Sequence, residues 1–225
     1  MNLHEIMYPV AEKFISINGE GQFAGELAVF IRFRTCNLTC SYCDTRWANS
    51  ENSPAELIRL EDLICFVKNS GIQRVTLTGG EPLLQKNLDK LIEELIKNHN
   101  LVEIETNGSI AIKKFAESEY RPNFTLDYKL PSSNMENYML TENYEYINSQ
   151  DVIKFVIGSQ EDLEKALFII KKYQLLKRCK IYVSPVYNKI QPAEIVNFMK
   201  KNNLNQIKLQ LQLHKYIWNP EKKGV

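Results

Sequence analysis

The 225-residue sequence lacks several features that would each define a class of protein. It has no run close to the roughly twenty apolar residues that a membrane-spanning helix requires. Residues 1–8 carry no apolar core of the kind found in signal peptides. The 28 basic and 27 acidic residues nearly cancel, which gives no general electrostatic reason to bind nucleic acid or an acidic membrane. We therefore expect a cytoplasmic protein that binds neither nucleic acid nor membranes.

Glycine and proline are also scarce, with 9 and 8 residues, and no segment rich in them divides the chain. Hydrophobic residues make up 44% of the sequence, enough to bury one substantial core. Residues 1–225 are therefore predicted to form a single domain.

The five cysteines are an odd number, which argues against a disulfide framework. Three of them, Cys36, Cys40 and Cys43, follow a C-x3-C-x2-C spacing in one short loop. A structural zinc site or a fully ligated four-iron cluster needs four protein ligands, so this pattern indicates a metal site that is one ligand short. Three thiolates would hold three irons of a cubane and leave the fourth open to a small molecule. The alternatives are a zinc site completed by a distant histidine or cysteine, and three independent structural cysteines without a metal.

Strand-like and helix-like segments alternate along the chain. Strands are predicted at residues 28–35, 74–78, 101–106, 124–127, 152–157, 180–184 and 206–211. Helices are predicted at residues 60–69, 84–98, 161–173 and 192–202. Several strands are almost continuously apolar, as strands covered on both faces are. The pattern predicts an α/β fold in which about six parallel strands form an incomplete (β/α) barrel, because a closed eight-stranded barrel typically takes about 250 residues.

Three segments together resemble the radical S-adenosylmethionine superfamily over about residues 28–129. They are the cysteine triplet with Tyr42 before its third cysteine, the Gly79-Gly80-Glu81-Pro82 segment and the Glu105-Thr106-Asn107-Gly108 segment. The resemblance implies a radical SAM type of barrel and a 4Fe-4S cluster on the three cysteines. It also implies that S-adenosylmethionine binds the open iron and is cleaved to a 5′-deoxyadenosyl radical.

Further segments resemble the 7-carboxy-7-deazaguanine synthase family across essentially the whole chain. They are residues 14–21, Phe30-Ile31-Arg32, Cys43-Asp44-Thr45, residues 127–133 and residues 214–218. This resemblance implies a carbon–nitrogen lyase of queuosine biosynthesis that converts 6-carboxy-5,6,7,8-tetrahydropterin to 7-carboxy-7-deazaguanine with loss of ammonia. It further implies magnesium as a cofactor and a homodimer. For a low-potential cluster we expect a flavodoxin or ferredoxin as electron donor.

The family resemblance also implies roles for individual residues. The S-adenosylmethionine site would comprise Tyr42, Cys43, Asp44, Gly80, Asp127, Tyr128 and Lys129. The pterin site would comprise Ile17, Asn18, Gly19, Arg32 and Thr78. Thr45 would bind magnesium, and an N-terminal substrate loop and the C-terminal tail would close the active site. Two positions depart from the family pattern: Asn18, where many members have glutamine, and Asp127-Tyr128, where many have Ser-Pro.

Several of these roles have competing structural interpretations. Thr45 alone would be a turn or cap residue, and Lys129 could be a solvated surface lysine. Arg32 lies in an apolar strand, and a lone buried guanidinium is costly unless it meets an anion. That anion would be the pterin carboxylate or, alternatively, Glu103 or Glu105. Gly79 and Gly80 would let the backbone approach a ligand closely, or would only form a tight turn between strand and helix.

Two other functions stay open on the sequence alone. An activating enzyme that places a glycyl radical on a partner protein uses the same cysteine spacing, but its substrate would need an open groove. A non-catalytic zinc-binding interaction module would need a fourth ligand.

Overall fold

A computed structural model describes residues 5–220 and 222–225, so residues 1–4 and Glu221 of the predicted domain lie outside the described residues. The described residues contain one sheet of nine strands. In chain order these are β1 (Met7–Ile17), β2 (Leu27–Phe33), β3 (Glu56–Arg59), β4 (Arg74–Gly79), β5 (Leu101–Thr106), β6 (Asn123–Tyr128), β7 (Val152–Ile157), β8 (Lys180–Pro185) and β9 (Ile207–Leu209).

The same residues form six α-helices, together with short 3-10 turns. The helices are α1 (Leu60–Ser70), α2 (Leu88–Lys97), α3 (Lys113–Ala116), α4 (Gln160–Lys172), α5 (Pro192–Lys201) and α6 (His214–Ile217). Over residues 5–220 and 222–225, none of these helices has the length and apolar composition that crossing a membrane requires.

Across the sheet the strands follow the order β3-β1-β2-β4-β5-β6-β7-β8-β9. β2 and β4 to β9 run parallel, whereas β1 runs antiparallel to both β2 and β3. The strands β3 and β9 lie at the two edges, so the sheet is open. The predicted incomplete α/β barrel is confirmed, with seven parallel strands in place of about six.

The two faces of the parallel strands have different chemistry because successive side chains point to opposite sides. Ile31, Leu77, Ile104 and Phe155 are fully buried in the hydrophobic core that also includes helix side chains. Their sequence neighbours Arg32, Thr78, Glu105 and Lys154 face a cavity instead. The apolar residues that predicted these strands are therefore the ones that pack against the helices.

The strands β1 and β3 are absent from the sequence prediction. β1 carries charged residues at Glu12 and Lys13 and shifts its register between Val10 and Glu12, which breaks the regular alternation. β3 has four residues at the edge of the sheet, and three of them are exposed. Edge strands with one covered face give a weak hydrophobic signal, so sequence patterns miss them more easily than central parallel strands.

The helix boundaries follow local signals. α1 ends at Gly71, whose φ of 69° is the left-handed conformation common after a helix. α5 begins at Pro192, and the Glu194 carboxylate accepts a hydrogen bond from the Gln191 backbone amide at 3.0 Å. α2 begins later than predicted because residues 82–84 form a separate 3-10 turn.

Candidate active site

One large cavity of about 660 Å³ opens at the carboxyl ends of the parallel strands. Its wall combines the strand ends with three other segments. These are the cysteine loop (residues 34–45), the N-terminal loop (residues 18–26) and the C-terminal segment (residues 212–220 and 222–225). Parallel α/β folds place their ligand sites at this end of the strands, because the loops that follow the strands converge there.

The cysteine loop places Cys36, Cys40 and Cys43 on the wall of this cavity, whereas Cys65 and Cys179 do not line it. Two sulfurs accept hydrogen bonds from side-chain amides. The Asn107 Nδ2 atom lies 3.6 Å from Cys36 Sγ, and the Asn49 Nδ2 atom lies 3.3 Å from Cys43 Sγ. Hydrogen-bond donors at these positions would stabilise the negative charge of sulfurs that bind a metal.

Burial raises the pKa of Cys36 and of Cys40. Within the part of the chain that the structure describes, no three His, Cys, Asp or Glu side chains lie close enough together to hold a single metal ion. The three thiols line one cavity, where each could bind a different iron of a cluster.

The glycine pair at the end of β4 packs against the start of the cysteine loop. A Cβ atom on Gly79 would overlap the Phe33 backbone, and one on Gly80 would overlap the Thr35 carbonyl and the Cys36 amide. The Gly80 amide donates to the Phe33 carbonyl at 3.0 Å, so it is not available to a ligand. The close packing of the two backbones is enough to account for both glycines, and it leaves the Gly80 carbonyl without a partner among the described residues.

Glu81 joins this region to the end of β5. Its fully buried carboxylate accepts hydrogen bonds from the backbone amides of Leu83 and Asn107 and from the Thr106 hydroxyl, at 2.7–3.0 Å. Burial raises the pKa of Glu81 to about 7, against the opposing effect of these donors. Because Asn107 also contacts Cys36, Glu81 fixes a residue that touches the cysteine loop.

A layer of ionisable side chains covers the sheet at the base of the cavity. We call it the charged layer, and it consists of Glu12, Glu20, Arg32, Glu105, Asp127, Lys129 and Lys154. The layer holds four carboxylates and three cations, so most of its charge is internally paired.

Arg32 pairs with a different acid from those that the sequence suggested. Its Nε atom lies 2.7 Å from Glu12 Oε1 on the neighbouring strand, and the two residues are cross-strand partners. Glu103 and Glu105 do not form this ion pair. Within the described ranges, no hydrogen bond from the terminal nitrogens of Arg32 is found, and the residue lines the cavity.

Asp127 lies between two lysines. Its Oδ2 atom is 2.5 Å from Lys129 Nζ, and its Oδ1 atom is 3.2 Å from Lys154 Nζ. Burial alone would raise the pKa of Asp127, but both lysines outweigh that effect and hold the pKa below its usual value. The carboxylate therefore stays ionised at neutral pH.

The N-terminal loop is attached to the segment that follows β9, the strand at one edge of the open sheet. The Gln210 side chain pairs with both backbone groups of Gly21: its Oε1 accepts from the Gly21 amide and its Nε2 donates to the Gly21 carbonyl, each at 2.7 Å. The Leu213 amide donates to the Gly19 carbonyl at 2.9 Å. These contacts join the loop after β1 to the segment after β9 and close the cavity on the side where the sheet is open.

The C-terminal segment covers another part of the cavity. The His214 ring packs so closely against Gly19 that a Cβ atom on residue 19 would overlap the ring. Lys215 lies 3.5 Å from the Asp44 carboxylate, and the Lys223 ammonium lies 4.1 Å from the centre of the Trp47 ring. Both contacts attach the segment to the cysteine loop region, and the segment forms one part of the cavity wall.

The comparisons with known proteins agree on one family. Residues 30–136 match the model of the Radical SAM superfamily. The chain is 52% identical over 219 residues to the 7-carboxy-7-deazaguanine synthase of Clostridium acetobutylicum, covering 97% of this chain and 99% of the relative. The chain belongs to the 7-carboxy-7-deazaguanine synthase family. The enzyme of the same name from Chlorobaculum tepidum is 32% identical and covers 96% of both chains.

A solved structure shares the fold of this family member. The crystal structure of QueE from Escherichia coli superposes with a TM-score of 0.74, at 24% sequence identity, over 93% of this chain and 96% of the other.

The radical SAM family implies a 4Fe-4S cluster and S-adenosylmethionine, and the cavity of this synthase family member suits both. It has three thiols on one wall, two of them with amide donors. It also has polar and aromatic side chains beside them for a charged nucleoside.

Most of the residues predicted for the site do line the cavity. These are Ile17, Gly19, Arg32, Cys36, Cys40, Tyr42, Cys43, Asp44, Thr45, Thr78, Gly80, Asp127 and Lys129.

Two predicted residues do not reach the cavity. The Asn18 side chain is buried, and its Oδ1 accepts a hydrogen bond from the Thr76 hydroxyl at 3.0 Å. Tyr128 points to the opposite face of β6 from its neighbours and donates to Glu136 at 3.1 Å. The alternation of side chains along a strand allows Asp127 and Lys129, but not Tyr128, to face the cavity.

Several residues of the site were not predicted: Glu12, Lys154 and His214 line the cavity, and Gln210 holds the N-terminal loop from outside the lining. One of them carried a readable signal. Lys154 is a single charge in the apolar run Val152–Ile157, the same pattern that drew attention to Arg32. Glu12 and Gln210 act through partners far away in sequence, which no local pattern shows.

Proposed function

We propose that the protein is a radical SAM enzyme that converts 6-carboxy-5,6,7,8-tetrahydropterin to 7-carboxy-7-deazaguanine with loss of ammonia. The observation that carries this proposal is a single cavity with three thiols on one wall and Arg32 at its base. The first feature suits the cofactors of the family, and the second suits an anionic small molecule.

Cys36, Cys40 and Cys43 would hold the cluster. The amides of Asn107 and Asn49 would donate to two of these sulfurs, and hydrogen bonds to cluster sulfur ligands tune the reduction potential. When bound, the cluster and S-adenosylmethionine supply an electron and a 5′-deoxyadenosyl radical that removes a hydrogen atom from the substrate.

The wall next to the cysteine loop would bind S-adenosylmethionine. Tyr42 and Asp44 lie in the loop itself, and the Gly80 carbonyl has no hydrogen-bond partner among residues 5–220 and 222–225. Asp127 and Lys129 offer an acceptor and a donor at the end of β6. The carbonyl suits an amino group, and Asp127 suits ribose hydroxyls.

The base of the cavity would bind the pterin. The terminal nitrogens of Arg32 can form a bidentate pair with its carboxylate while Glu12 holds the Nε atom. Thr78, whose hydroxyl donates to Glu105 at 3.0 Å, and the backbone of Ile17 and Gly19 lie on the same side. The loops around the cavity would exclude water from the reacting substrate.

Thr45 would bind magnesium as part of this proposal. Its hydroxyl is 3.6 Å from Cys43 Sγ and faces the cavity, and magnesium accepts a neutral oxygen ligand together with substrate and water oxygens. The lyase class, the homodimer, the flavodoxin or ferredoxin donor and the cytoplasmic location also belong to the proposal and rest on the family.

The test is anaerobic incubation of the cluster-loaded protein with a reductant, S-adenosylmethionine, magnesium and the pterin, followed by mass spectrometry. We expect 7-carboxy-7-deazaguanine to accumulate with many turnovers per chain. Cleavage of S-adenosylmethionine without this product, under conditions in which the Clostridium acetobutylicum enzyme forms it, would contradict the proposal.

A further inference from the structure

Lys154 is a buried cation in the middle of β7. Its side chain is 7% exposed, and its Nζ atom lies 2.9 Å from Glu20 Oε1 and 3.2 Å from Asp127 Oδ1. The residues on both sides of it in the strand, Ile153 and Phe155, are fully buried in the hydrophobic core. Nothing in the assignment of the cluster, the pterin carboxylate or magnesium uses this lysine.

The two carboxylates that hold Lys154 belong to different parts of the proposed site. Glu20 lies in the N-terminal loop, next to the residues proposed to bind the pterin. Asp127 lies at the end of β6, in the segment proposed to bind S-adenosylmethionine. The second oxygen of Asp127 is already held by Lys129.

We propose that Lys154 is a positioning residue that couples the binding of the pterin to the binding of S-adenosylmethionine. This inference rests on the proposed function. It deepens that function, because it gives the enzyme a physical link between its two small-molecule sites.

The link follows from the cost of a buried charge. An ammonium group out of water is stable only while carboxylates surround it. A change in the pairing of one carboxylate therefore changes how strongly the ammonium interacts with the other. A ligand hydroxyl that donates a hydrogen bond to Asp127 weakens the contact between Asp127 and Lys154. Lys154 then moves towards Glu20, and this fixes the N-terminal loop. A pterin that fixes the loop from the other side has the reverse effect on Asp127, because such coupling is reciprocal.

The charge state of Lys154 supports this arrangement. Burial alone would lower the pKa of Lys154, but Asp127, Glu20 and Glu105 together hold the pKa above its usual value. The side chain is therefore an ammonium at neutral pH. Replacing it with methionine would leave these three carboxylates close together without their shared cation.

The test is equilibrium binding of S-adenosylmethionine to anaerobically reconstituted, unreduced protein, with and without saturating pterin, so that no turnover occurs. In the wild type we expect the pterin to lower the Kd of S-adenosylmethionine at least about fivefold, the lower end of typical coupling between sites. In Lys154→Met we expect that ratio to fall to about one. A wild-type ratio of one, or an unchanged ratio in a folded Lys154→Met, would overturn the inference.

Lys180→Met is the matched control. Lys180 lies on the neighbouring strand and its Nζ contacts Gln22 of the same N-terminal loop at 2.7 Å, but the contact is exposed. Lys180 does not contact Asp127. We expect its replacement to keep the wild-type ratio, and a loss equal to that of Lys154→Met would overturn the inference.

Glu20→Gln provides a second variant that leaves the Lys154–Asp127 pair in place. We expect it to fold and to reduce the ratio, whereas a ratio equal to that of the wild type would overturn the inference. A wild-type protein that binds S-adenosylmethionine but no pterin would instead contradict the proposed function, and with it the inference that depends on it.

Discussion

The cysteine loop and the charged layer lie on two sides of the same cavity but are held in different ways. At Cys36 and Cys43 the loop is held by neutral contacts, namely close backbone packing at Gly79 and Gly80 and amide donors to the two sulfurs, and its charged contacts, from Arg46 and Lys215, lie away from these two sulfurs. The charged layer is fixed by ion pairs between residues of different strands and of the N-terminal loop. The loop should therefore respond mainly to changes of shape, and the charged layer mainly to changes of charge.

This difference suits the tasks proposed for the two regions. A cluster needs three ligands at constant positions, and backbone packing supplies that. A small anionic substrate needs a site that changes its pairing when the ligand enters, and a set of ion pairs can exchange partners. The predictions that follow test this contrast, beginning with the largest expected effect.

Gly80→Ala should abolish cluster binding. The new Cβ would overlap the Thr35 carbonyl and the Cys36 amide, which are backbone atoms that cannot move without displacing a cysteine ligand. Iron content per chain after anaerobic reconstitution measures the effect. Gly71→Ala is the control, because a Cβ atom at this position would meet no other atom. Only the left-handed φ of 69° disfavours the alanine, and it lowers the free energy of unfolding by about 1 kcal/mol. Full iron content in Gly80→Ala would show that the loop tolerates a change of shape.

Arg32→Ala should raise the KM for the pterin at least roughly 30-fold, because truncating one partner of a buried charge pair costs about 2 kcal/mol or more. Uncoupled cleavage of S-adenosylmethionine, followed by chromatography of 5′-deoxyadenosine, should persist. Glu12→Gln should give a smaller rise, since Arg32 stays but loses the partner of its Nε atom. Lys13→Ala, at a neighbouring position directed towards Phe66, is the control. An unchanged KM in Arg32→Ala would exclude recognition of the pterin carboxylate by the charged layer.

Gln210→Ala should raise the KM for the pterin by up to roughly 30-fold while leaving iron content unchanged. The variant loses two hydrogen bonds to Gly21, each contributing about 1 kcal/mol, so binding of the pterin must also order the loop. The exposed Gln206, just before β9, provides the control Gln206→Ala. If both variants have the wild-type KM, the N-terminal loop does not need this attachment.

Glu103→Gln should remove part of the pH dependence of stability. Glu103 lies below the charged layer, with one oxygen 2.7 Å from the Thr125 hydroxyl and the other without a partner among the described residues. Burial, and then the charge of Glu105, raises its pKa from 4.5 to about 7. The folded state thus binds the proton more tightly than the unfolded state, and stability falls as pH rises from about 4.5 to about 7, by up to about 3 kcal/mol.

Urea unfolding at pH 5 and pH 8 measures this effect. The wild type should lose more stability between the two pH values than Glu103→Gln does. The opposite ranking would show that Glu103 is ionised in the folded protein.

The cysteine loop and the parallel strands could be predicted because their signals are local. Cys36, Cys40 and Cys43 lie within eight residues of one another, and strands such as Val152–Ile157 are almost continuously apolar. The pairing of Arg32 with Glu12 could not be predicted, because it depends on the register of β1, an irregular strand. The attachment of Gly21 by Gln210 likewise depends on contacts across the open side of the sheet, whereas the orientation of Tyr128 follows from side-chain alternation along β6 and could have been predicted.

The most direct measurement is iron and acid-labile sulfide content of the anaerobically prepared wild type, with electron paramagnetic resonance before and after S-adenosylmethionine is added. A cluster held by Cys36, Cys40 and Cys43 predicts about four irons and four sulfides per chain. It also predicts a spectrum that S-adenosylmethionine changes by binding the open iron. One zinc per chain and no sulfide would contradict a catalytic role for these three cysteines.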